Sequence, residues 1–317
     1  MDEASPSDSA GRRRRILFAL TGSVPAVLVV GAIVVWIASP RPTDLNGTVR
    51  RHAAATGAII VPLADVAPVM REAVVATEDE RFFRHHGIDL LGVARAVAYD
   101  ASHLSLSEGA STITEQLGKE LYLGGDDHSA WRKLQDAGLA LRIEGEASKD
   151  LILQDYLSTV YFGHGSYGVD EASRRFFGEP PSRLDLARAS LLAGLIQSPS
   201  GYDPYTRPEI ARQRQAEVLA SMVRTGSITA NEGSRVLDAP LPLRGGPSLP
   251  PLGGATLSPG PMFSGPELGL GLLLLFGAVG VAVLARRPGR RPVLLKAAPA
   301  ALGLVALLAL ARSLRVA

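Results

Sequence analysis

The stretch Ala76–Gly87 reads ATEDERFFRHHG and sets two adjacent carboxylates, Glu78 and Asp79, before two phenylalanines and two histidines. Met70, Val74 and Glu78 follow one another at intervals of four residues, so Glu78 continues the apolar stripe of a helix. A carboxylate on such a stripe is partly desolvated, which raises its pKa towards neutrality and suits a general base or acid. The stretch therefore predicts a catalytic carboxylate at a helix end.

A less specific interpretation of the same carboxylate stays open. Glu78 at a helix end would also be explained by an ion pair with Arg81 or Arg84. The helix itself is predicted to have Asp65 as its N-cap, with Pro68 tolerated in its first turn.

Composition restricts the classes of function. The 317 residues carry a formal net charge of +2, so the chain is no polyelectrolyte and no nucleic-acid partner is expected. There is no cysteine, which excludes disulfides and thiolate metal sites. Hydrophobic residues make up 46% of the chain and aromatic residues 5%, and much of the apolar content lies at the two ends. That distribution predicts membrane segments.

The amino-terminal end predicts a basic cytoplasmic tail over 1–15 and a transmembrane anchor over 16–38. The anchor would span about 34 Å, enough to cross a bilayer. Arg12 to Arg15 stay in the cytoplasm by the positive-inside rule, which places the residues that follow outside. A cleaved signal peptide is the alternative, although Ala38-Ser39-Pro40 is a poor cleavage site.

The rest of the chain divides by composition. An extracytoplasmic domain is predicted over 39–240, followed by a Pro/Gly-rich linker over 241–267. Transmembrane helices are predicted at 268–285 and 293–311, joined by a basic cytoplasmic loop at 286–292. A monotopic hairpin is the alternative for these last two apolar segments.

The domain between the membrane segments is predicted to be mostly helical. Ala58–Leu63 is an apolar run that fits a strand or an extended lead-in. Helical patterns run over 65–80, 88–100, 111–122, 129–145, 149–162, 169–177, 184–196 and 208–224.

A second motif reads GASTITEQLGKELY. Ser111 or Thr112 can cap a helix whose free N–H groups attract an anion. Gln116 and Lys119 lie three residues apart on one face, able to reach that anion. The alternative is an ordinary surface salt bridge between Glu115 and Lys119.

A third motif, Trp131–Glu144, reads WRKLQDAGLALRIE and follows Ser129, a predicted N-cap. Arg132 and Asp136 share one helix face, with Lys133 beside them. Two cations and a carboxylate could hold a pyrophosphate, directly or through a divalent metal. The alternative is an Arg132–Asp136 pair within the helix.

A fourth stretch, 149–178, is interpreted mostly as scaffold. Leu153, Tyr156 and Leu157 contribute to an apolar stripe, and His164 is expected to be a solvated loop histidine.

Taken together, these motifs resemble the peptidoglycan glycosyltransferase family, the transglycosylase domain of class A penicillin-binding proteins and of monofunctional transglycosylases. Its first motif, E-D-x-x-F-x-x-H-x-G, is matched at Glu78, Asp79, Phe82, His85 and Gly87. Its second, G-x-S-T-x-T-Q-Q-L-x-K-N, is matched at Gly109, Ser111, Thr112, Thr114, Gln116, Leu117 and Lys119. Its third, R-K-x-x-E, is matched at Arg132 and Lys133, with Asp136 at the glutamate position. Matches to the later motifs are Lys149, Ile152, Leu153, Tyr156, Leu157, Gly163, Gly168, Phe177, Leu191, Leu192, Ala193, Gly194, Pro199, Tyr202 and Pro204.

The resemblance implies a mainly α fold, a lysozyme-like glycosyltransferase domain with a small jaw lobe against the membrane. It also implies a reaction that joins lipid II units with inversion, releasing undecaprenyl pyrophosphate. The implied partners are lipid II, the nascent glycan strand, the membrane, and a cell-wall synthase or transpeptidase. The implied location is a bacterial cell membrane, with the catalytic domain outside.

Roles for individual residues follow from the same resemblance. Glu78 takes the place of the catalytic base, and Asp136 that of a second catalytic carboxylate, which orients groups or holds Mg²⁺ or Mn²⁺. The substrate- and pyrophosphate-binding set is Asp79, His85, Ser111, Thr112, Gln116, Lys119, Arg132 and Lys133.

Five positions depart from the family pattern: Glu115, His128, Asp136, Ser158 and Arg188. Glu115 adds a negative charge near Lys119, and His128 removes a fixed positive one, so both should weaken pyrophosphate binding. We expect a slower enzyme, or one tuned to a different partner or pH. One alternative is a degenerate member that binds lipid II or a synthase without turnover. Another is a hydrolase with a lysozyme-like site.

No transpeptidase domain is expected. The residues after 240 contain neither an S-x-x-K nor a K-T-G sequence, so the chain is expected to polymerise glycan without cross-linking it.

Overall fold

The computed structural model describes residues 35–93, 111–124, 129–253 and 257. The chain divides into two compact units. Of the first, the described residues are 35–38 and 90–93, all helical. The helices of the second are α1 Leu45–Thr56, α2 Pro68–Glu78, α3 Ile113–Gly118, α4 Ala130–Glu146, α5 Lys149–Thr159, α6 Val169–Phe177, α7 Leu186–Leu195, α8 Pro208–Arg224 and α9 Ala230–Asp238.

The expectation of a mainly α domain is confirmed for these residues. A π-helical turn, Lys119–Leu123, continues α3, and 3₁₀ turns occur at Leu63–Asp65, Phe82–Arg84 and Pro181–Arg183. The only β pairings among the described residues are isolated bridges.

The predicted membrane segments at 16–38, 268–285 and 293–311 lie outside the described residues, apart from 35–38. Within 35–93, 111–124 and 129–253, no helix combines the length and the apolar character needed to cross a membrane.

Helix α2 lies at the centre of the second unit, because it packs against both α7 and α8. Its residues Met70, Ala73 and Val74 are fully buried. The apolar stripe expected from the sequence is therefore the face that holds α2 in the core, and Glu78 is its last residue.

The prediction that Asp65 caps α2 is wrong. The helix begins at Pro68, the N-cap position is Ala67, and no side chain caps it. Pro68 suits the first helical position because its fixed φ and missing N–H cost nothing there. Asp65 instead lies in the preceding 3₁₀ turn, and the backbone N–H of Ala67 donates to the carbonyl of Pro181 at 3.1 Å.

The segment 58–62 is an extended lead-in rather than a ladder strand. A side chain of α5 bonds one of its N–H groups, since Val61 N donates to Ser158 Oγ at 3.1 Å. Leu63 N likewise donates to Gln154 Oε1 at 3.2 Å.

Two helices, α1 and α9, were not predicted from the sequence. Leu45, Val49 and Ala53 form the buried stripe of α1, at four-residue intervals, whereas the buried residues of α9 are Gly233 and Leu237. Both helices begin at a side-chain cap. Asp44 caps α1 through a bond from Gly47 N, and Thr229 and Glu232 form a capping box at the start of α9.

The folded unit extends beyond residue 240, where the sequence placed the start of a linker. Leu241 and Leu249 exchange backbone hydrogen bonds of 3.1 and 2.8 Å, and both are buried. Leu252 N donates to the carbonyl of Leu237 at 2.7 Å, and Leu257 packs with Leu237. Leu252 and Leu257 pack with Leu219 of α8 and Leu237 of α9, and Leu241 and Leu249 join the main core. The first part of the Pro/Gly-rich stretch therefore belongs to the domain.

Candidate active site

The carboxylate of Glu78 is held from one side by two polar side chains. Gln116 Nε2, on α3, donates to Glu78 Oε2 at 2.8 Å. Tyr156 OH, on α5, donates to Gln116 Oε1 at 2.7 Å. Tyr156 is only 2% exposed, whereas Glu78 is half-buried. Three separate helices thus meet at the carboxylate.

Burial raises the pKa of Glu78 above that of an ordinary glutamate, as the apolar stripe predicted. The hydrogen bond from Gln116 and the positive charge of Arg214 act in the opposite direction, and the neighbouring Asp79 adds to the rise. The alternative pairing with Arg81 is not found, because Arg81 pairs with Asp89 at 2.9 Å. The combination is suited to a group that accepts a proton near neutral pH.

Asp79 faces the interior. Its two oxygens lie 3.0 Å from His85 Nε2, and Oδ2 also accepts from Ile113 N, the first residue of α3, at 3.1 Å. The expectation that the start of α3 offers free N–H groups to an external anion is therefore wrong at Ile113. The chain's own carboxylate already occupies that position.

Thr112 caps α3, as predicted. It forms a capping box with Glu115, in which Thr112 Oγ1 accepts from Glu115 N and Glu115 Oε2 accepts from Thr112 N. Thr112 Oγ1 also donates to the carbonyl of Gly87 at 2.7 Å. Asp79, His85 and Thr112 are each buried with partners inside the protein, so their position supports the frame of the site rather than contact with a ligand.

Gly87 lets the first motif approach α4. Its φ is +81°, and a Cβ there would lie 2.8 Å from the backbone nitrogen of Leu141 and 2.9 Å from the carbonyl carbon of Ala140. No side chain fits between the two backbones, and the positive φ is unfavourable for other residues.

Arg132 and Asp136 form the intrahelical pair that the sequence left as an alternative. Arg132 Nε lies 3.3 Å from Asp136 Oδ1, and Arg132 Nη2 donates to the carbonyl of Gly124 at 3.2 Å. Both side chains are buried. A single carboxylate already bonded to a guanidinium is a poor donor set for a divalent metal, and the described residues contain no cluster of three or more His, Asp or Glu that could hold one.

Glu115 and Lys133 define a second charged contact. Lys133 Nζ donates to Ser111 Oγ and lies 3.9 Å from Glu115 Oε2. Burial raises the pKa of the Glu115 carboxyl, and the charge of Lys133 lowers it. The predicted surface pair between Glu115 and Lys119 is wrong, because Glu115 is buried and turned towards Thr112.

Lys119 is exposed at the first residue of the π-helical turn Lys119–Leu123. No residue within the described ranges pairs with its ammonium group. Single π-helical turns occur often at functional sites, and this one places a cation at the surface in the turn after Gln116.

A network behind the site joins α3, α4 and α5. Glu144 Oε1 accepts from Thr114 Oγ1 and from Lys149 Nζ, each at 2.6 Å. Lys149 Nζ also lies 4.2 Å from the centroid of the Phe82 ring. The network holds residues of four motifs in fixed positions relative to one another. Several of the residues that match the family motifs therefore have a structural role.

Sequence reasoning missed two residues near Glu78. Tyr156 was placed on an apolar stripe and matched to a later family motif, but it was given no role at the site, because a tyrosine at helical spacing gives no sign of where its hydroxyl points. Arg214, on α8, was not singled out at all, although its charge acts on Glu78. It pairs with Glu217 at 2.7 Å, and its guanidinium lies 5.5 Å from the Tyr202 ring centroid. Neither role has a local sequence signal.

His164 is an exposed loop residue, as expected from the sequence, but its side chain also has partners within the protein. Its Nε2 lies 2.8 Å from Asp203 Oδ1, and its ring packs edge-on against Phe176 and Tyr205. The aromatic contacts and the hydrogen bond hold the loop to the segment around Asp203. The hydrogen bond also contributes to a lowered pKa of Asp203, against the effect of burial.

The remaining departures from the family pattern have structural partners. Ser158 is buried and accepts the bond from Val61 N. Arg188 pairs with Asp185, the N-cap of α7, at 2.6 Å. His128 lies outside the described residues.

Comparison with known proteins gives consistent matches. A family model described as Transglycosylase matches residues 46–223, which contain all the motifs above. Penicillin-binding protein 2D of Bacillus subtilis is 41% identical over 182 residues, 57% of this chain and 26% of that protein. A Cupriavidus necator protein named as a transglycosylase is 43% identical over 184 residues, 58% of this chain and 79% of that protein. Penicillin-binding protein 1A of Neisseria flavescens is 41% identical over 173 residues, 55% and 22% of the two chains.

Among solved structures, penicillin-binding protein 1A from Haemophilus influenzae matches with a TM-score of 0.36 and 21% identity, covering 59% of this chain and 18% of that one. The chain matches 26% of the length of the Bacillus subtilis protein and 79% of the Cupriavidus necator protein.

Proposed function

Because this chain belongs to the transglycosylase family, we propose that it is a peptidoglycan glycosyltransferase that polymerises lipid II into glycan strands. The observation that carries the proposal is the state of Glu78. Burial raises its pKa, Gln116 anchors its Oε2, and its Oε1 has no hydrogen-bond partner within the described residues. One oxygen is held and the other is available to a substrate hydroxyl.

The proposed step is an inverting displacement. The 4-hydroxyl of the acceptor sugar attacks C1 of the donor sugar, and Glu78 takes the hydroxyl proton through its free oxygen. The new C1–O bond forms as the bond from C1 to the pyrophosphate oxygen breaks. Undecaprenyl pyrophosphate leaves with the electron pair of that bond, so its oxygens gain negative charge in the transition state.

Cations must stand where that charge develops. Lys119 is exposed and Lys133 is half-exposed, so we assign them to the pyrophosphate. Arg132 is held by Asp136 and by the carbonyl of Gly124, and its proposed part is to orient the start of α4. Asp136 is assigned to that pair rather than to proton transfer.

We place the reaction at the outer face of a bacterial cell membrane, since lipid II carries a lipid tail. The basic and apolar segments at the two ends of the sequence fit an anchored chain. The proposed activity of this domain is polymerisation of glycan strands.

The test is incubation of the detergent-purified full-length protein with lipid II, with and without Mg²⁺ or Mn²⁺. We expect glycan chains longer than the substrate, resolved by gel electrophoresis. Shortening of added glycan would instead indicate a hydrolase. Lipid II that binds without forming chains would contradict the proposal and indicate a binding protein.

The contact between Glu115 and Lys133 gives a second prediction. Glu115→Gln should raise turnover of lipid II a few-fold, because the variant frees Lys133 from a carboxylate while its amide oxygen can still accept from Thr112 N. Burial raises the pKa of Glu115, so the gain should be largest at high pH and shrink as Glu115 becomes protonated in the wild type. Turnover measured across pH checks this.

The matched control is Glu146→Gln, which removes an exposed charge at the far end of the same helix as Lys133. It should leave turnover unchanged. If turnover in Glu115→Gln is equal to or lower than that of the wild type, the predicted effect of freeing Lys133 is contradicted. A gain of the same size in Glu146→Gln would contradict it as well.

A further inference from the structure

The hydrogen bonds at Glu78 have a fixed direction. A glutamine amide presents a donating NH₂ on one side and an accepting oxygen on the other. Tyr156 OH lies 2.7 Å from the Gln116 oxygen, and the Gln116 NH₂ lies 2.8 Å from Glu78 Oε2. Reversing the amide would bring its oxygen against an ionised Glu78, where two acceptors would face each other.

Tyr156 is well suited to hold that direction. It is 2% exposed and packed in the core, so its ring has one position. Burial raises the pKa of its hydroxyl well above the ordinary value, and the charges of Glu78, Glu120 and Asp79 act in the same direction. The phenol therefore stays protonated and remains a donor throughout the pH range of the reaction.

Gln116 by contrast is partly exposed and has a flexible side chain. Glu78 alone could fix it only while the carboxylate is ionised. Once Glu78 has accepted the substrate proton, the pull on the NH₂ group is weaker, and the tyrosine hydroxyl is the contact that keeps the amide in place.

We propose that Tyr156 is a positioning residue for the general base, which holds the Gln116 amide so that one oxygen of Glu78 is anchored and the other faces the acceptor hydroxyl. This inference rests on the proposed function and assigns a role to a side chain that does not itself touch the substrate. A hydrogen bond to the amide oxygen also strengthens the NH₂ group as a donor.

The positioning role of Tyr156 should affect the protonation of Glu78. The bond from Gln116 favours the ionised form, as does the charge of Arg214 on α8, whereas burial and Asp79 oppose it. Weakening the Gln116 bond shifts this balance towards the protonated form. A variant that loses the tyrosine hydroxyl should therefore lose activity and need a higher pH to ionise its base.

The experiment compares Tyr156→Phe with wild type in lipid II polymerisation across pH, using the full-length protein. We expect kcat to fall about tenfold, the effect of losing roughly one hydrogen bond in the transition state, with KM little changed. The acid limb of the profile should move up by about one pH unit. If kcat and the acid limb of the pH profile are both unchanged in Tyr156→Phe, the proposal is overturned.

Tyr205→Phe is the matched control. It removes a tyrosine hydroxyl that donates to the carbonyl of Arg244 at 2.9 Å, away from Gln116. Its kcat and acid limb should equal those of the wild type. If Tyr156→Phe loses rate with a lowered thermal midpoint and an unmoved acid limb, the role of Tyr156 is structural and the proposal fails.

A double-mutant cycle shows whether Tyr156 acts through Gln116 or contributes to catalysis directly. In a Gln116→Ala background, Tyr156→Phe should cost less than about twofold, because the amide that it positions is gone. A further tenfold loss there would overturn the proposal.

A measurement that does not depend on turnover allows the role of Tyr156 to be tested separately from the proposed function. The pH dependence of Glu78 labelling by a water-soluble carbodiimide, read by peptide mass spectrometry, should shift upwards in Tyr156→Phe. If the wild type forms no glycan, the proposed function fails, while the labelling midpoint still decides the role of Tyr156.

Discussion

Glu78→Gln is expected to reduce lipid II polymerisation by at least about a hundredfold, because a general base contributes about 10²–10⁴ in rate. The amide has nearly the shape of the carboxylate but cannot accept the hydroxyl proton. Chain formation by the purified full-length variant, measured beside the wild type, checks this. Glycan chains formed at more than about a tenth of the wild-type rate would exclude Glu78 as the base.

The same variant should be at least as stable as the wild type. Burial raises the pKa of Glu78 in the folded state, so at neutral pH the ionised carboxylate disfavours folding relative to the unfolded chain. Glutamine removes that cost, and the thermal midpoint should be unchanged or higher. A lowered midpoint would mean that inactivity reflects misfolding.

The matched control is Glu72→Gln, which replaces an exposed glutamate on α2, the helix that ends at Glu78. It should retain full activity. In the wild type, activity should fall as the pH drops through the pKa of Glu78, and this acid limb should lie above the range of an ordinary glutamate.

Arg212→Met is expected to destabilise the domain by about 3–5 kcal/mol, the usual cost of breaking a buried charged network. Arg212 on α8 is 0% exposed and donates to the carbonyls of Val236, Leu237 and Ala239, at the carboxyl end of α9. Methionine fills the space but leaves these acceptors without their donor. The thermal midpoint of the purified chain should fall by about 10 °C.

Arg235→Met provides the comparison, because Arg235 is exposed near the end of α9. Its midpoint should stay within about 2 °C of the wild type. Arg212→Lys should fall between the two, since one ammonium group replaces two guanidinium nitrogens, of which Nη2 bonds the α9 carbonyls and Nη1 bonds Gln215. If the thermal midpoint of Arg212→Met equals that of the wild type, α9 does not depend on its contact with Arg212.

Much of the fold could be predicted from local periodicity. The helices expected at 169–177 and 208–224 are found as Val169–Phe177 and Pro208–Arg224. Their repeats are long enough to show one apolar face, and Gly178 ends the first of them with a positive φ of 78°. By contrast, α1 and α9 were missed. The interval from Leu45 through Val49 to Ala53 in α1 was overlooked, and α9 buries few apolar side chains.

The site was predictable in part for the same reason. The interval from Met70 through Val74 to Glu78 is a local pattern, and it gave the partial burial of Glu78 and the direction of its pKa shift correctly. The inward position of Asp79 was not predictable, because its partners His85 and Ile113 N lie outside its own helix. Glu115 did have a local sign that was overlooked, since Thr112-x-x-Glu115 is a capping-box pattern.

The sequence by itself determined the residue types, the order of the motifs and the helices that present them, because these depend on contacts between residues close along the chain. Tertiary structure alone decided that Tyr156 holds Gln116, that Gln116 holds Glu78, and that Lys133 lies beside Glu115. Those contacts join residues on different helices. Their geometry follows from how α2, α3, α4 and α5 pack, which no local period encodes.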